Sequence, residues 1–215
     1  MAYDLEEQEQ LATLKAWWNQ YGNLVTWLIT LCLAAYAAWT GWQWYQRSQA
    51  LQASQLYEEM QKAVEAKDNA RVQRGAADMQ QKFARTAYAQ MSALFAAKSA
   101  FDAGDLKAAK TQLQWVIDNG SNEEYKAIAK IRLAGVLLDE KAYDDGLKLL
   151  AGEFPAQFAG AVADRKGDIL VAQNKLADAR AAYQAALNKT GKSDPARQLI
   201  EIKLESIGGE VKPAA

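Results

Sequence analysis

Between Lys15 and Arg47 the chain carries no charge at all, and that run holds six of its seven tryptophans. Its apolar part extends from Leu24 to Trp44. At ~1.5 Å of rise per residue a helix over that stretch spans ~31 Å, close to the ~30 Å hydrocarbon core of a bilayer. Aromatic side chains cluster at both ends: Trp17, Trp18 and Tyr21 before the segment, Trp39, Trp42 and Trp44 with Tyr45 after it. Indole and phenol rings prefer the headgroup level, where an apolar body and a polar tip are both satisfied. The first six are therefore candidate membrane-interface anchors, and the lipid bilayer is the first expected partner. The ordinary alternative is a buried core helix, which rarely runs this far without a charge.

A cleavable signal peptide is the closer rival, because Ala35-Tyr36-Ala37 has a small-x-small pattern. The leading segment is acidic, however, with Asp4, Glu6, Glu7 and Glu9 against Lys15, whereas a signal peptide needs positive charge there. The apolar run also continues through Trp44, so an uncleaved anchor fits better. Charge leaves the orientation open: Lys15 precedes the span, Arg47 follows it, and the next cation is Lys62.

The chain has 25 basic and 26 acidic residues, and setting the acidic tail aside leaves 24 and 22. No Lys/Arg-rich run supplies the concentrated basic surface that a polyanion needs, which argues against nucleic-acid binding. The single cysteine, Cys32, lies inside the span, so the rest of the chain has no disulfide framework. There is no histidine. That removes histidine-based acid–base chemistry, Ser-His and Cys-His nucleophiles and most transition-metal sites. With no phosphate-binding glycine loop, CxxC or calcium-loop spacing either, no catalytic, metal or cofactor site is expected.

Beyond the anchor the sequence reads as all-α: alanine dominates, only three prolines occur, and alternating strand patterns are missing. Residues 46–67 are expected to extend the anchor helix or follow it after a break, with Leu51, Leu56, Tyr57, Met60 and Val64 on one face. Asp68 and Asn69 interrupt, and a second helix is expected from Ala70 to Phe83. Three turn signals follow at near-regular intervals: Gly104-Asp105-Leu106, Lys141-Ala142-Tyr143 and Asn174-Lys175-Leu176. Each sits between two apolar helices with small and large residues at matching offsets. The third unit is clearest, with Gly167 and Leu170 before the turn and Ala179, Tyr183 and Ala186 after it. Small residues such as Gly167 and Ala179 let two antiparallel backbones approach, and Tyr183 fills the space toward the next unit. A generic antiparallel bundle is the plainer reading, but three aligned units with matching turns favour repeats. A last helix is expected over 194–207, with Asp194 as N-cap and Pro195 at the first helical position, capping the stack with a polar outer face.

The spacing resembles the 34-residue tetratricopeptide repeat. Its units are degenerate, with no opening tryptophan and no terminal proline. The expected organisation is an acidic tail (1–23), a single N-terminal transmembrane helix (24–44), membrane-proximal helices (45–87), three tetratricopeptide-like repeats (88–193), a capping helix (194–208) and a tail (209–215).

This architecture, with Trp17-Trp18 and Tyr21-Gly22 before the span and Ala161-Val162-Ala163-Asp164-Arg165-Lys166-Gly167-Asp168 opening the third unit, resembles the YfgM family of ancillary SecYEG translocon subunits. The resemblance covers essentially the whole chain. It implies a single-pass protein of the Gram-negative inner membrane, with its tail in the cytoplasm and its repeats in the periplasm. The implied partners are the SecYEG translocon, the membrane-anchored periplasmic chaperone PpiD and secreted client chains. No catalytic residue carries over from the family.

The expected function is a membrane-tethered interaction module that assists chaperone hand-over of secreted proteins leaving the translocon. A cytoplasm-facing membrane adaptor in signalling or cell division is the alternative. An enzyme built on Asp164 and Asp168 is a poor third, since those carboxylates share a helix with Arg165 and Lys166 and fit an ion-paired face better. Tetratricopeptide stacks bind along the concave surface made by the first helix of each unit. Aligning the turns assigns Leu94, Lys98, Phe101, Ile131, Leu138, Asp164, Asp168 and Val171 to that surface, although ordinary packing between units accounts for the apolar ones equally well. In the anchor, Ala34, Ala35, Ala37, Ala38 and Gly41 would permit close approach of another membrane helix, or simply face lipid.

Overall fold

The computed structural model describes residues 2–211, with side chains from Glu7 onward; the side chains of Asp4 and Glu6 and residues 212–215 of the expected tail lie outside it. Among the described residues every regular element is helical. Contacts divide the chain into two compact units, Met1–Leu51 and Gln52–Ala215.

The first unit consists of the leading part of α1 (Ala2–Glu65), a helix without a break. It contains the only helix among the described residues that is long and apolar enough to cross a membrane, and none of its apolar window is buried. Three hydroxyls inside it are satisfied by their own helix: Thr26 donates to the Gly22 carbonyl at 2.7 Å, Thr30 to Thr26 at 2.8 Å and Thr40 to Tyr36 at 3.0 Å. Such back-bonding is what hydrocarbon demands, since it offers no water to an unpaired polar group. Ring pairs stack along each aromatic cluster, Trp17 with Tyr21 at 5.9 Å and Trp42 with Tyr45 at 6.1 Å.

The second unit takes up the end of α1 and continues through α2 (Asn69–Phe83), α3 (Ala87–Asp102), α4 (Leu106–Asn119), α5 (Glu123–Asp139), α6 (Tyr143–Leu150), α7 (Ala159–Ala172), α8 (Leu176–Lys189) and α9 (Ala196–Ser206). A single 3-10 turn, Ala156–Phe158, leads into α7. Successive helices pack as neighbours, and α3, α5 and α7 also touch in series. These three form one layer, with α4, α6 and α8 behind them.

The turns explain the pairing. Gly104, Lys141 and Asn174 all adopt the left-handed conformation, with φ of 78°, 60° and 59°. Each donates its N–H three residues back, to Phe101, Leu138 and Val171 at 2.9, 3.0 and 2.8 Å. The following residues, Asp105, Ala142 and Lys175, donate five back, to Ala100, Leu137 and Leu170 at 2.9, 2.8 and 2.9 Å. This is the Schellman closure, which satisfies the last carbonyls of one helix and reverses the chain. A fourth turn repeats it: Lys67 has φ of 54° and donates to Val64 at 2.9 Å, and Asp68 donates to Ala63 at 2.9 Å. The end of α1 therefore pairs with α2 as the first helices of the later units pair with their second helices. Asp68 and Asp105 then cap the next helix, accepting from the Arg71 and Ala108 amides at 2.9 Å each.

Packing follows the small-and-large pattern. A Cβ at Gly167 would overlap the Tyr183 ring, so only glycine lets α7 and α8 approach this closely. Tyr57, Met60, Val72 and Met79 are buried between the end of α1, α2 and α3, whereas Leu51, expected on the same face, is exposed. The last helix begins one residue later than its sequence signals indicate. Asp194 Oδ1 accepts from the Ala196 amide at 2.9 Å while the Arg197 amide bonds to the Asp194 carbonyl at 3.0 Å, so the entry is a tighter 3-10-like turn. Ile200 and Leu204 of α9 are buried against Tyr183 and Leu187, contributing roughly 2 kcal/mol each. Its outer face is not wholly polar, because Leu199 and Ile202 remain 55% exposed.

Candidate interaction surface

Two cavities lie in series between α3 and α5. The first, of about 260 Å³, is lined by Met91, Leu94, Phe95 and Lys98 of α3 and by Tyr125, Ile128 and Arg132 of α5. The second, of about 430 Å³, continues past Lys98 and Arg132 to Phe101, Gly135 and Asp139, with Arg165 of α7 at its edge. Lys98 and Arg132 line both cavities, so the two form one groove with a pair of cations at its waist. Lys98 reaches Asp102 on its own helix at 2.7 Å, and both side chains are more than half exposed. Arg132 has no carboxylate within ion-pair distance among the described residues, and partial burial lowers its pKa.

Of the residues assigned to this surface from the sequence, Lys98 and Phe101 stand open in the groove, Phe101 with 42% of its surface exposed. Leu94 reaches the groove from its floor, being buried in the core around Ala97, Leu113 and Leu133. Ile131 and Leu138 are half-buried against Leu150, Val162 and Ile169, and Val171 against the cluster around Tyr183. For these three, packing between units dominates.

Asp164 and Asp168 are taken up by the chain itself. Lys203 of α9 donates to both Asp164 oxygens at 2.9 Å and lies 2.8 Å from Asp168 Oδ1. Tyr183 donates its hydroxyl to Asp168 at 2.9 Å, and Arg165 meets Asp168 Oδ2 at 3.1 Å. Burial raises the Asp164 pKa despite the Lys203 hydrogen bond, and raises that of Tyr183, which the Asp168 charge pushes further. Arg165 lies over Gly135, where a Cβ would come within 3.4 Å of its Cζ. Its Nε is buried without a partner.

Sequence reasoning missed Arg132, Ile128 and Phe95. Turn alignment found the groove-facing Lys98 and Phe101 on α3, but on α5 it selected Ile131 and Leu138, which pack toward the next unit, in place of Ile128 and Arg132.

A second opening, of about 930 Å³, lies between α4, α5 and α6, floored by Trp115, Leu133, Leu137 and Leu149. It exists because α6 has only 8 residues, against 14 in α4 and α8. No group of acidic, histidine or cysteine side chains among the described residues is arranged to hold a metal.

The sequence profile of the tetratricopeptide repeat-like domain family matches residues 15–209. The chain is 32% identical over 208 residues to the ancillary SecYEG translocon subunit of Neisseria gonorrhoeae, covering 96% of this chain and 100% of that one. The chain belongs to this family. The subunit of the same name from Haemophilus influenzae is 27% identical over the same share of both chains, and that of Escherichia coli is 28% identical over 123 residues, 59% of its length. No solved structure matches the chain. As an ancillary translocon subunit with a tetratricopeptide-like domain it is an interaction protein and not an enzyme. Its apolar helix makes it membrane-anchored.

Proposed function

We propose that the chain is a docking subunit of the SecYEG translocon, tethered in the inner membrane by Leu24 to Trp44. In this reading the acidic tail is cytoplasmic and the helical repeats work in the periplasm. The α3–α5–α7 layer receives a polypeptide partner there, either a secreted chain leaving the translocon or the chaperone PpiD that takes it over. The observation that carries the proposal is the alignment with a translocon subunit along its full length, anchor included. The exposed Phe101 and the open groove beside it support a binding role for the layer.

The aromatic clusters support the membrane part. Tyr21 and Trp39 are ~27 Å apart along a helix, so the rings on either side would reach both headgroup regions. Tethering raises the local concentration of a binding surface near its partner without any new contact.

The test is purification of the full chain from membranes in mild detergent, with partners identified after cross-linking. The translocon and PpiD are expected among them, and Phe101→Ser is expected to weaken PpiD or client recovery. A translocon that never co-purifies defeats the proposal. A reporter fused after Ala215 that is active only in the cytoplasm would reverse the orientation.

A further inference from the structure

The groove between α3 and α5 has a chemical polarity of its own. Its first cavity carries two cations, Lys98 and Arg132, and no acid; every other lining residue is apolar or aromatic. The second adds Phe101 and two acids, Asp139 and Asp102, the latter 2.7 Å from Lys98. Arg132 is exposed at the groove's mouth, so water satisfies its guanidinium in the free protein, and no carboxylate of the chain stands beside it to compete with a ligand's. Lys98 pairs with Asp102 in an exposed contact that solvent screens and that exchanges readily. Of the two cations Arg132 is therefore the one with no carboxylate in ion-pair distance among the described residues, and it has apolar surface on either side.

We propose that this groove selects a carboxylate: its occupant is an extended polypeptide segment with aspartate or glutamate flanked, two residues away on each side, by large apolar side chains. The inference rests on the reading of the α3–α5–α7 layer as a polypeptide-binding surface. Spacing supports it. Ile128 and Arg132 are four apart on α5, which sets them ~6 Å from one another along the axis, while the next residue of that row, Val136, is buried in the core. Alternate side chains of an extended chain point the same way and lie ~6.7 Å apart. An apolar residue and an acid at alternate positions therefore match Ile128 and Arg132, and the exposed Phe101 of α3 offers the apolar contact on the far side. The carboxylate meets Arg132 and Lys98 across the groove, one apolar side chain enters beside Phe95 and Ile128, and the other beside Phe101. Asp102 and Asp139 disfavour a second acid beyond that last position.

The test uses the full chain in detergent micelles and pooled fluorescent nonapeptides with leucine at the third and seventh positions and aspartate, asparagine or lysine at the fifth. The aspartate pool is expected to bind about tenfold more tightly than the asparagine pool and to lose that advantage in Arg132→Gln. Arg132→Lys is expected to restore part of it, since charge is kept while the planar fork is lost. Equal binding of all three pools, unchanged in Arg132→Gln but weakened in Phe101→Ser, overturns the carboxylate inference and leaves the groove as a binding surface. Binding by no pool overturns both. Circular dichroism melts of each variant keep a folding defect from passing as a binding one.

Discussion

Arg132 and Lys203 are both cations that one helix presents to its neighbours, yet their surroundings are opposite. Lys203 reaches from α9 to three carboxylate oxygens, with Tyr183 and Arg165 completing the set, and the apolar side chains of α9 close the core beneath it. Arg132 stands in a groove where the nearest acid, Asp102, is paired with Lys98 and none is within ion-pair distance of Arg132 itself among the described residues. The C-terminal end of the repeat layer is closed by the chain's own last helix, while the α3–α5 segment of the same layer stays open. A repeat surface that could bind along its whole length is thereby limited to one stretch, and the acidic positions on α7, expected at the outset to bind partners, serve closure instead.

The largest effect should come from breaking the closed end at its tightest point. Gly167→Leu forces a side chain into the Tyr183 ring, and Tyr183 also carries a hydrogen bond to Asp168, so packing and network fail together. A loss of about 3 kcal/mol is expected from overpacking of this kind, read as a lowered midpoint in thermal or urea unfolding of the full chain. A variant as stable as the parent would mean that α7 and α8 can separate freely, and that the closed end is not rigid.

Lys203→Met comes next, at about 2 kcal/mol, a figure discounted from a fully buried pair because these side chains keep some solvent contact. Its pH dependence is the sharper readout. Burial already holds the folded pKa of Asp164 above its ordinary value. Between the unfolded value, about 3.9, and the folded one, the folded chain binds more protons, so this group's contribution to stability falls as pH rises through that window. Without Lys203 its hydrogen bond and its charge no longer lower the pKa, the Arg165 charge alone remains to do so, and the folded value climbs further. The difference between variant and parent should therefore be greatest near neutral pH and shrink as pH falls through the folded pKa of Asp164. Melts followed by circular dichroism from about pH 4 to about pH 7 would register it, and a pH-independent difference would remove Asp164 from the account.

Leu138→Ser and Phe101→Ser separate the two roles that sequence alignment merged. Leu138 is packed against the α6–α7 core, so its loss should cost about 1.5 kcal/mol, the share expected of a half-buried leucine. Phe101 is open, and its replacement should leave the unfolding midpoint nearly unchanged. Equal destabilisation by the two would show that Phe101 is part of the core.

The way these roles became merged says what a sequence can convey. The helix pairs were legible because their signals are local: Gly104 and Asn174 tolerate positive φ, and Asp105 caps the helix that follows. The Gly167–Tyr183 contact was legible because one hairpin holds both residues at a fixed offset. The break after Lys67 was legible from Asp68 and Asn69, but its likeness to the later turns was not, since it shows only in the left-handed Lys67 and in the packing of Met60 and Ala63 on Val72 and Ala76. Lys203 escaped for a different reason. Its partners, Asp164 and Asp168, lie two helices back in the chain, and nothing in so distant a Lys-Asp pairing distinguishes a contact from a coincidence. Arg132 was invisible as a site because what marks it is a missing partner, which only three-dimensional packing reveals.

The smallest effect on stability should belong to Arg132→Gln. Removing a paired charge exposes its partner to an uncompensated environment, and that penalty makes Lys203 expensive to replace. Arg132 leaves no such partner behind, and the glutamine that replaces it carries no charge to desolvate in the groove. The change should stay within about 0.5 kcal/mol of the parent in urea unfolding. Partner recovery should nevertheless fall, because a charge that folding does not require is available only to something that binds. A clear loss of stability in Arg132→Gln would mean that the guanidinium holds α3 and α5 together. In that case the groove and the closed end would differ in degree of packing alone, and the contrast between Arg132 and Lys203 would lose its functional meaning.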